Sequence, residues 1–255
     1  MFLHTGLILV LLAVVESAKD YCQFQCRSGA QNIGCNHPGT PASKCQQFKR
    51  INLGPKEKQL VLFEHNKLRS QVAKGEGKNR FGKTLPKATN MNELVWDNDL
   101  AHLAYLNVLQ CEMKHDACRD TSKKIHNGQN LYNAFTTASY NVKQVIEKGV
   151  KAWFDEIKDV NIRQIVKFTG GGGKVIGHFT QLVWATTTKV GCAVGSYKDG
   201  SFNAYLLACN YVDGNMLTKS VYKKGRTPCS ACKQCTAQKL CAPVLGPKKA
   251  GKAKG

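Results

Sequence analysis

The chain of 255 residues is poor in acid: 17 Asp and Glu stand against 37 Lys and Arg, a formal net charge of +20. Residues 214–255 contain no acidic residue at all, while ten basic ones occur there, at 219, 223, 224, 226, 233, 239, 248, 249, 252 and 254. That balance favours polyanions or anionic surfaces as partners, although a solvated tail is the plainer reading. No aromatic residue interrupts GPKKAGKAKG at the end of the chain, which removes base stacking on nucleic acid from consideration. Long apolar runs are missing beyond the first residues, and nothing later approaches the ~20 residues that a membrane-spanning helix needs. Catalytic signatures are just as scarce. Without H-E-x-x-H or H-x-H there is no local zinc pair, and without G-x-S-x-G there is no nucleophile elbow. No N-x-S/T sequon occurs.

What is present begins with MFLHTGLILVLLAVVESAKDYC. Residues 7–15 form an apolar run too short to span a bilayer, and small residues follow it at once. This predicts a secretory signal peptide over 1–18, cleaved after Ser17 or Ala18, and therefore an extracellular protein. All twelve cysteines follow that segment, and their even number in an oxidising compartment makes disulfides the default. The remaining chain is long enough to bury a core, so the bridges are expected to brace irregular ends.

Cysteine spacing divides the chain. Residues 19–54 read as a loop-rich, cysteine-rich extension, 55–222 as the main domain, 223–241 as a cysteine-rich appendage and 242–255 as a disordered basic tail. In the main domain, helical spacing places Val61, His65, Leu68 and Val72 on one stripe, with Gly75 and Gly77 as the stop. A second helix follows over 92–111 and a third over 142–157, the latter with Val145, Ile146, Val150 and Trp153 aligned. Alternation over 178–184, 189–194 and 202–211 predicts strands, the last two joined by a turn at 196–200. Helices first and antiparallel strands later argue for an α+β fold.

The run IGHFTQLVWATTT, read as a strand, places His178 with Thr180, Leu182 and Trp184 on one face. His115 lies in CEMKHDAC, and Glu156 ends WFDE. Two imidazoles and a carboxylate from separate elements could converge on a divalent ion, since zinc accepts both ligand types. The spacing alone equally allows structural histidines. A hydrolase built on His178 with Thr180 or Glu156 is a rival reading without a supporting signature. Cys229, Cys232, Cys235 and Cys241 could hold zinc in a cytosolic protein; behind a signal peptide two disulfides are expected.

Several of these stretches belong together. GHFTQLVWATT and YLLACNYVDGN resemble the two signature stretches of the CAP superfamily, which unites cysteine-rich secretory, antigen 5 and plant pathogenesis-related proteins. HNKLR and GQNLY resemble its two shorter motifs, so the likeness covers residues 55–215. YCQFQC and ACRDT are similar to insect antigen 5 proteins. LNVLQCEMKHD and the cysteine-rich end resemble the dipteran branch, which includes biting-fly salivary proteins. The resemblance implies a three-layer α-β-α sandwich and the pairings Cys22–Cys35, Cys26–Cys118, Cys45–Cys111 and Cys192–Cys209. By likeness to the family's hinge it also implies Cys229–Cys235 and Cys232–Cys241.

It further implies a cleft of two histidines and two glutamates, with the histidines open to zinc. Matched by motif, these are His115, His178 and Glu156, while the second glutamate position is Gln129. An amide is no general base and a poor zinc ligand, which argues against catalysis. No cofactor is required, and zinc at His115 and His178 is the candidate ion. Relatives with integrin-binding Arg-Gly-Asp imply no such role here, because the loop reads Arg27-Ser28-Gly29. Relatives that hold sterols, fatty acids or eicosanoids imply a lipid or small-molecule partner. A host extracellular protein and a polyanionic glycan on the basic tail are the alternatives.

Overall fold

A computed structural model of the protein describes residues 19–24, 26, 29–123 and 126–244. The expected signal peptide, Arg27 and Ser28 of the loop that lacks an aspartate, and residues 245–255 of the basic tail lie outside the described residues. In chain order the elements are β1 (Gln46–Ile51), α1 (Pro55–Ala73), β2 (Val95–Trp96), α2 (Asn98–Val108), β3 (Gly128–Thr136), α3 (Val142–Asp155), α4 (Ile162–Val166), α5 (Gly177–Leu182), β4 (Lys189–Asp199) and β5 (Phe202–Tyr211). The sheet runs β1-β4-β5-β3 with antiparallel neighbours, and β2 adds to β4 in parallel.

Local chemistry sets the helix starts. Pro55 opens α1, where its missing N–H costs nothing. Asp97 caps α2 by accepting from Leu100 N at 3.1 Å, and Asn141 with Gln144 forms a capping box on α3.

Side chains of β5 alternate between two layers. Leu207, Cys209 and Tyr211 join the core with Val61 of α1, Val150 and Trp153 of α3 and Phe179 of α5. Leu206, Ala204 and Ala208 face Ala104 and Val108 of α2. The sheet is thus the middle of an α-β-α sandwich. Small residues on the α2 side bring that helix close. A Cβ on Gly191 of β4 would collide with the backbone of Asp97 and Ala101, so only glycine fits there.

Six disulfides brace this frame. Cys192–Cys209 links facing positions of β4 and β5. Cys26–Cys118 and Cys45–Cys111 fasten the N-terminal segment to the stretch after α2, and Cys22–Cys35 closes a loop within that segment. Cys229–Cys235 and Cys232–Cys241 lie in the C-terminal segment.

Four features of the fold correct or extend the sequence expectations. First, residues 177–182 form helix α5, not a strand: Thr180 N bonds to Ile176 O at 3.0 Å and Val183 N to Phe179 O at 3.1 Å. Residues 179–183 are all at most 1% exposed, so their pattern marks no outer face and does not separate helix from strand. Second, the loop-rich stretch over 19–54 also carries a strand, because β1 pairs with β4. Its register shifts between Gln46 and Lys49, which broke the alternation that would have betrayed it. Third, β4 continues to Asp199, so the turn to β5 is confined to Gly200 and Ser201. Last, the C-terminal segment is no free appendage: Leu240 is fully buried in the main core.

Candidate functional site

His178 lies on α5, Glu156 just past the end of α3, Gln129 near the start of β3 and His115 in the segment after α2. The fold joins them as two pairs. His178 Nδ1 is 2.6 Å from Glu156 Oε1, while Glu156 Oε2 accepts from Phe179 N at 3.0 Å. One carboxylate thus orients the imidazole and satisfies a first-turn N–H of α5. Trp153 stacks on the His178 ring, with centroids 6.4 Å apart and planes 13° from parallel, and its indole N–H donates to Leu131 O at 2.8 Å. Asn130 Nδ2 donates to His178 O at 3.0 Å.

The second pair is His115 Nδ1 with Gln129 Oε1, at 2.7 Å. Gln129 Nε2 donates to Asp116 Oδ2 at 2.7 Å and to Asn210 Oδ1 at 3.0 Å. Those two acceptors explain the amide. A carboxylate at position 129 would face the Asp116 carboxylate and the Asn210 carbonyl without a proton to offer either. Asp116 is itself held by Arg119 Nε at 2.6 Å and Asn107 Nδ2 at 2.9 Å. Burial holds the His115 pKa below the ordinary histidine range; the Gln129 bond opposes this, and the charges of Arg119 and His178 add to it. His115 is therefore a neutral imidazole at neutral pH.

Both histidines use Nδ1 for these bonds, so Nε2 is the nitrogen that each pair leaves unused. This is the arrangement in which a ligating histidine gives its other nitrogen to an orienting oxygen. Imidazole nitrogens are a donor chemistry that a divalent ion accepts, and in each pair the oxygen of Glu156 or Gln129 is turned to the histidine. Cys26, Asp120 and His126 also lie together, but Cys26 is bonded to Cys118 and offers no thiolate. Thr180 is fully buried, and its hydroxyl bonds to Asn215 Oδ1 at 2.8 Å, so it is not poised as a nucleophile.

The segments carrying the signature stretches interlock behind the cleft. Gln181 of α5, 1% exposed, donates to Asp213 O at 3.2 Å. A Cβ on Gly128 or Gly214 would strike its amide, which explains both glycines. Sequence reasoning missed Asp116, Asn210 and Trp153 as parts of the site. Asn210 carried a readable signal, being a polar residue inside the apolar strand YLLACNY.

Two further hollows lie nearby. His115 and Asp116 line one of about 430 Å³ with Gln31, Ile33, His37 and Lys114. The other, about 490 Å³, runs between α1 and α3, with Lys67, Leu68 and Gln71 on one wall and Glu147, Lys151 and Phe154 on the other.

Fold and site define a disulfide-braced α-β-α sandwich that carries two imidazoles, His115 and His178, each backed by a side-chain oxygen. The chain belongs to the cysteine-rich secretory protein (CAP) family, whose model matches residues 62–211. It is 42% identical over 239 residues to "CRISP/Allergen/PR-1" of Trittame loki, covering 90% of this chain and 56% of that protein. It is 35% identical to "Venom allergen-1" of Aedes aegypti, covering 92% of each chain. With "Venom allergen 5" of Vespula maculifrons it shares 36% identity, covering 80% of this chain and 99% of that one. None of these names states an enzymatic activity. Among solved structures, "NaASP2 with Zn2+" superposes with a TM-score of 0.64 at 33% identity, over 74% of this chain and 96% of its own. BmVAL-1 gives 0.66 at 26% identity, over 76% and 97%.

Proposed function

We propose that the protein is a secreted, antigen 5-related salivary or venom protein that acts without catalysis, by sequestering a small amphipathic or lipid-like molecule. The observation that carries this reading is the hollow between α1 and α3. Its volume of about 490 Å³ falls within the ~300–1,000 Å³ of small-molecule sites. Leu68 and Phe154 offer apolar contact inside it, and Lys67 and Lys151, paired with Glu64 at 3.8 Å and Asp155 at 2.6 Å, give it a polar, charge-balanced lining for a head group. The apolar run at the N-terminus and the six disulfides support export to an oxidising compartment.

The cleft supports a modest metal site rather than an active one. His115 and His178 would hold a zinc ion, which would supply Lewis acidity to whatever else it bound. Glu156 accepts one hydrogen bond at each of its oxygens, which commits it to orienting His178 and the first turn of α5. Gln129 has no basicity at all.

Native mass spectrometry of protein taken from its own tissue tests the reading. A co-purifying lipid is expected, along with saturable uptake of a fatty acid that Leu68→Trp, which fills the hollow, weakens at least tenfold. Absence of both would overturn it. So would hydrolysis of a peptide or ester by the purified protein that His178→Ala abolishes.

A further inference from the structure

A separate hollow of about 180 Å³ lies along β4 at the edge of the sheet, between the end of β1, the start of α1 and the first turns of α2. It shares no lining residue with the hollow beside His115 or the α1–α3 hollow. Its walls carry Arg50, Lys58, Trp96, Asn98, His102 and Tyr105. The Arg50 guanidinium sits over the Tyr105 ring, 4.1 Å from its centroid, and the Lys58 ammonium lies 5.4 Å from the centre of Trp96. Neither cation pairs with a carboxylate among the described residues. The acids of the adjacent α2 turn are engaged elsewhere, Asp97 with Lys189 at 2.9 Å and Asp99 with Lys19 at 2.6 Å.

Asn98 Oδ1 accepts from Trp96 Nε1 at 3.0 Å and from Lys58 Nζ at 3.4 Å, fixing the indole and the ammonium relative to each other. His102 stacks on Tyr21 with ring centres 5.6 Å apart, which holds this wall residue in place. Two cations are thus pre-positioned on aromatic faces, facing one concavity, with their charge uncompensated. Holding them in place beforehand lowers the ordering cost of binding, and the +20 charge of the chain concentrates anions at its surface.

We infer that this hollow is a binding site for a small organic anion: a single carboxylate, sulfate or phosphate group on a compact, flat apolar body. The anionic group lies between Arg50 and Lys58, and the body packs against Trp96 and Tyr105. The volume, below the ~300 Å³ of drug-sized sites, excludes a long acyl chain. The ligand class therefore differs from that proposed for the α1–α3 hollow, and neither reading depends on the other.

Intrinsic fluorescence tests the inference directly. Of the three tryptophans, Trp153 and Trp184 are each 2% exposed, so a ligand-induced change reports Trp96. Phenylacetate is the probe, phenylacetamide its uncharged counterpart, and inorganic sulfate and phosphate test the anionic group alone. Saturable binding of phenylacetate is expected, weakened at least tenfold by Arg50→Gln and by Lys58→Gln at an unchanged thermal midpoint. The inorganic ions should compete, but more weakly. Equal binding of phenylacetamide, or wild-type affinity in both variants, would overturn the site. Inorganic ions that bind as tightly as phenylacetate would remove the role given to the aromatic walls. Because Arg50 and Lys58 lie on different elements, a folding defect in one variant leaves the other as a test.

Discussion

His65 is enclosed on α1, with no exposed surface. Its Nδ1–H donates to Val61 O at 2.7 Å, and its Nε2 accepts from the Tyr211 hydroxyl at 2.9 Å. Burial pushes its pKa down from 6.5 to about 4; the Arg69 charge adds to this and the Val61 carbonyl opposes it. Between those values the unfolded chain takes a proton that the folded chain refuses, so stability falls as the pH falls. The neutral form is intact above pH 6.5, and the loss is complete near pH 4, on the order of 3 kcal/mol for a shift of this size. Urea unfolding at pH 7, 5.5 and 4 should show that decline, and His65→Gln should flatten it. An unchanged slope in the variant would assign the acid sensitivity to other groups. The same residue shows what the sequence can and cannot say. Its place on the helical stripe with Val61 and Val72 was legible, since period alone fixes that. Its partner Tyr211 was not, being 146 residues away in sequence. For the same reason His178 and Glu156 could be named as candidates, whereas the Asp116 and Asn210 contacts that account for Gln129 required the fold.

At the scale of elements, α5 depends on a residue outside it. Arg69 of α1 is fully buried. It gives Nη1–H groups to Leu182 O at 2.8 Å and Trp184 O at 2.9 Å, Nη2–H groups to Asn92 O at 2.6 Å and Thr187 O at 3.2 Å, and its Nε–H also to Asn92 O, at 2.9 Å. Three of the four carbonyls, on Leu182, Trp184 and Thr187, lie at and beyond the C-terminus of α5, where a cation is favoured and acceptors lack helical partners. Burial lowers the Arg69 pKa to about 9, which still leaves it charged at neutral pH. Arg69→Met should cost about 3–5 kcal/mol, because it leaves buried carbonyls unsatisfied. Denaturant unfolding measures that loss, and amide exchange should show early opening of residues 177–187. A cost below ~1 kcal/mol would mean that water or other donors replace the guanidinium. Legibility in the sequence follows exposure. Helices α1 and α3 have a solvent side and so display a period; α5 buries four consecutive residues, Phe179 to Leu182, and displays none. β4 and β5 were readable as apolar runs, but β1, with a register shift and mostly exposed side chains, was not.

Over the whole molecule, the disulfides do unequal work. By loop-closure entropy, the Cys26–Cys118 bridge, spanning 92 residues, stabilises by ~4.6 kcal/mol, while Cys232–Cys241, spanning 9, gives ~2.6 kcal/mol. The short C-terminal bridges therefore stabilise their own segment only moderately, and docking on the main domain has to come from packing and hydrogen bonds. Leu240 supplies the packing, fully buried beside the α1 and α3 layer. Around it, Cys241 N donates to Met91 O at 2.7 Å, Glu93 N to Cys241 O at 3.0 Å and the Ser70 hydroxyl to Gln238 O at 2.5 Å. Lys223, Lys224, Arg226, Lys233 and Lys239 remain exposed on this segment, so docking leaves its positive charge facing solvent. Leu240→Ala should cost about 2–5 kcal/mol of global stability, comparable to or greater than losing Cys232–Cys241 through a paired serine substitution. Guanidinium unfolding followed by the fluorescence of buried Trp153 and Trp184 reads the core directly. If Leu240→Ala leaves that transition in place while protection is lost only over residues 223–244, the segment folds as a separate unit. A shift of the whole transition would make Leu240 the anchor that ties the basic C-terminus to the same cooperative core that positions the cleft.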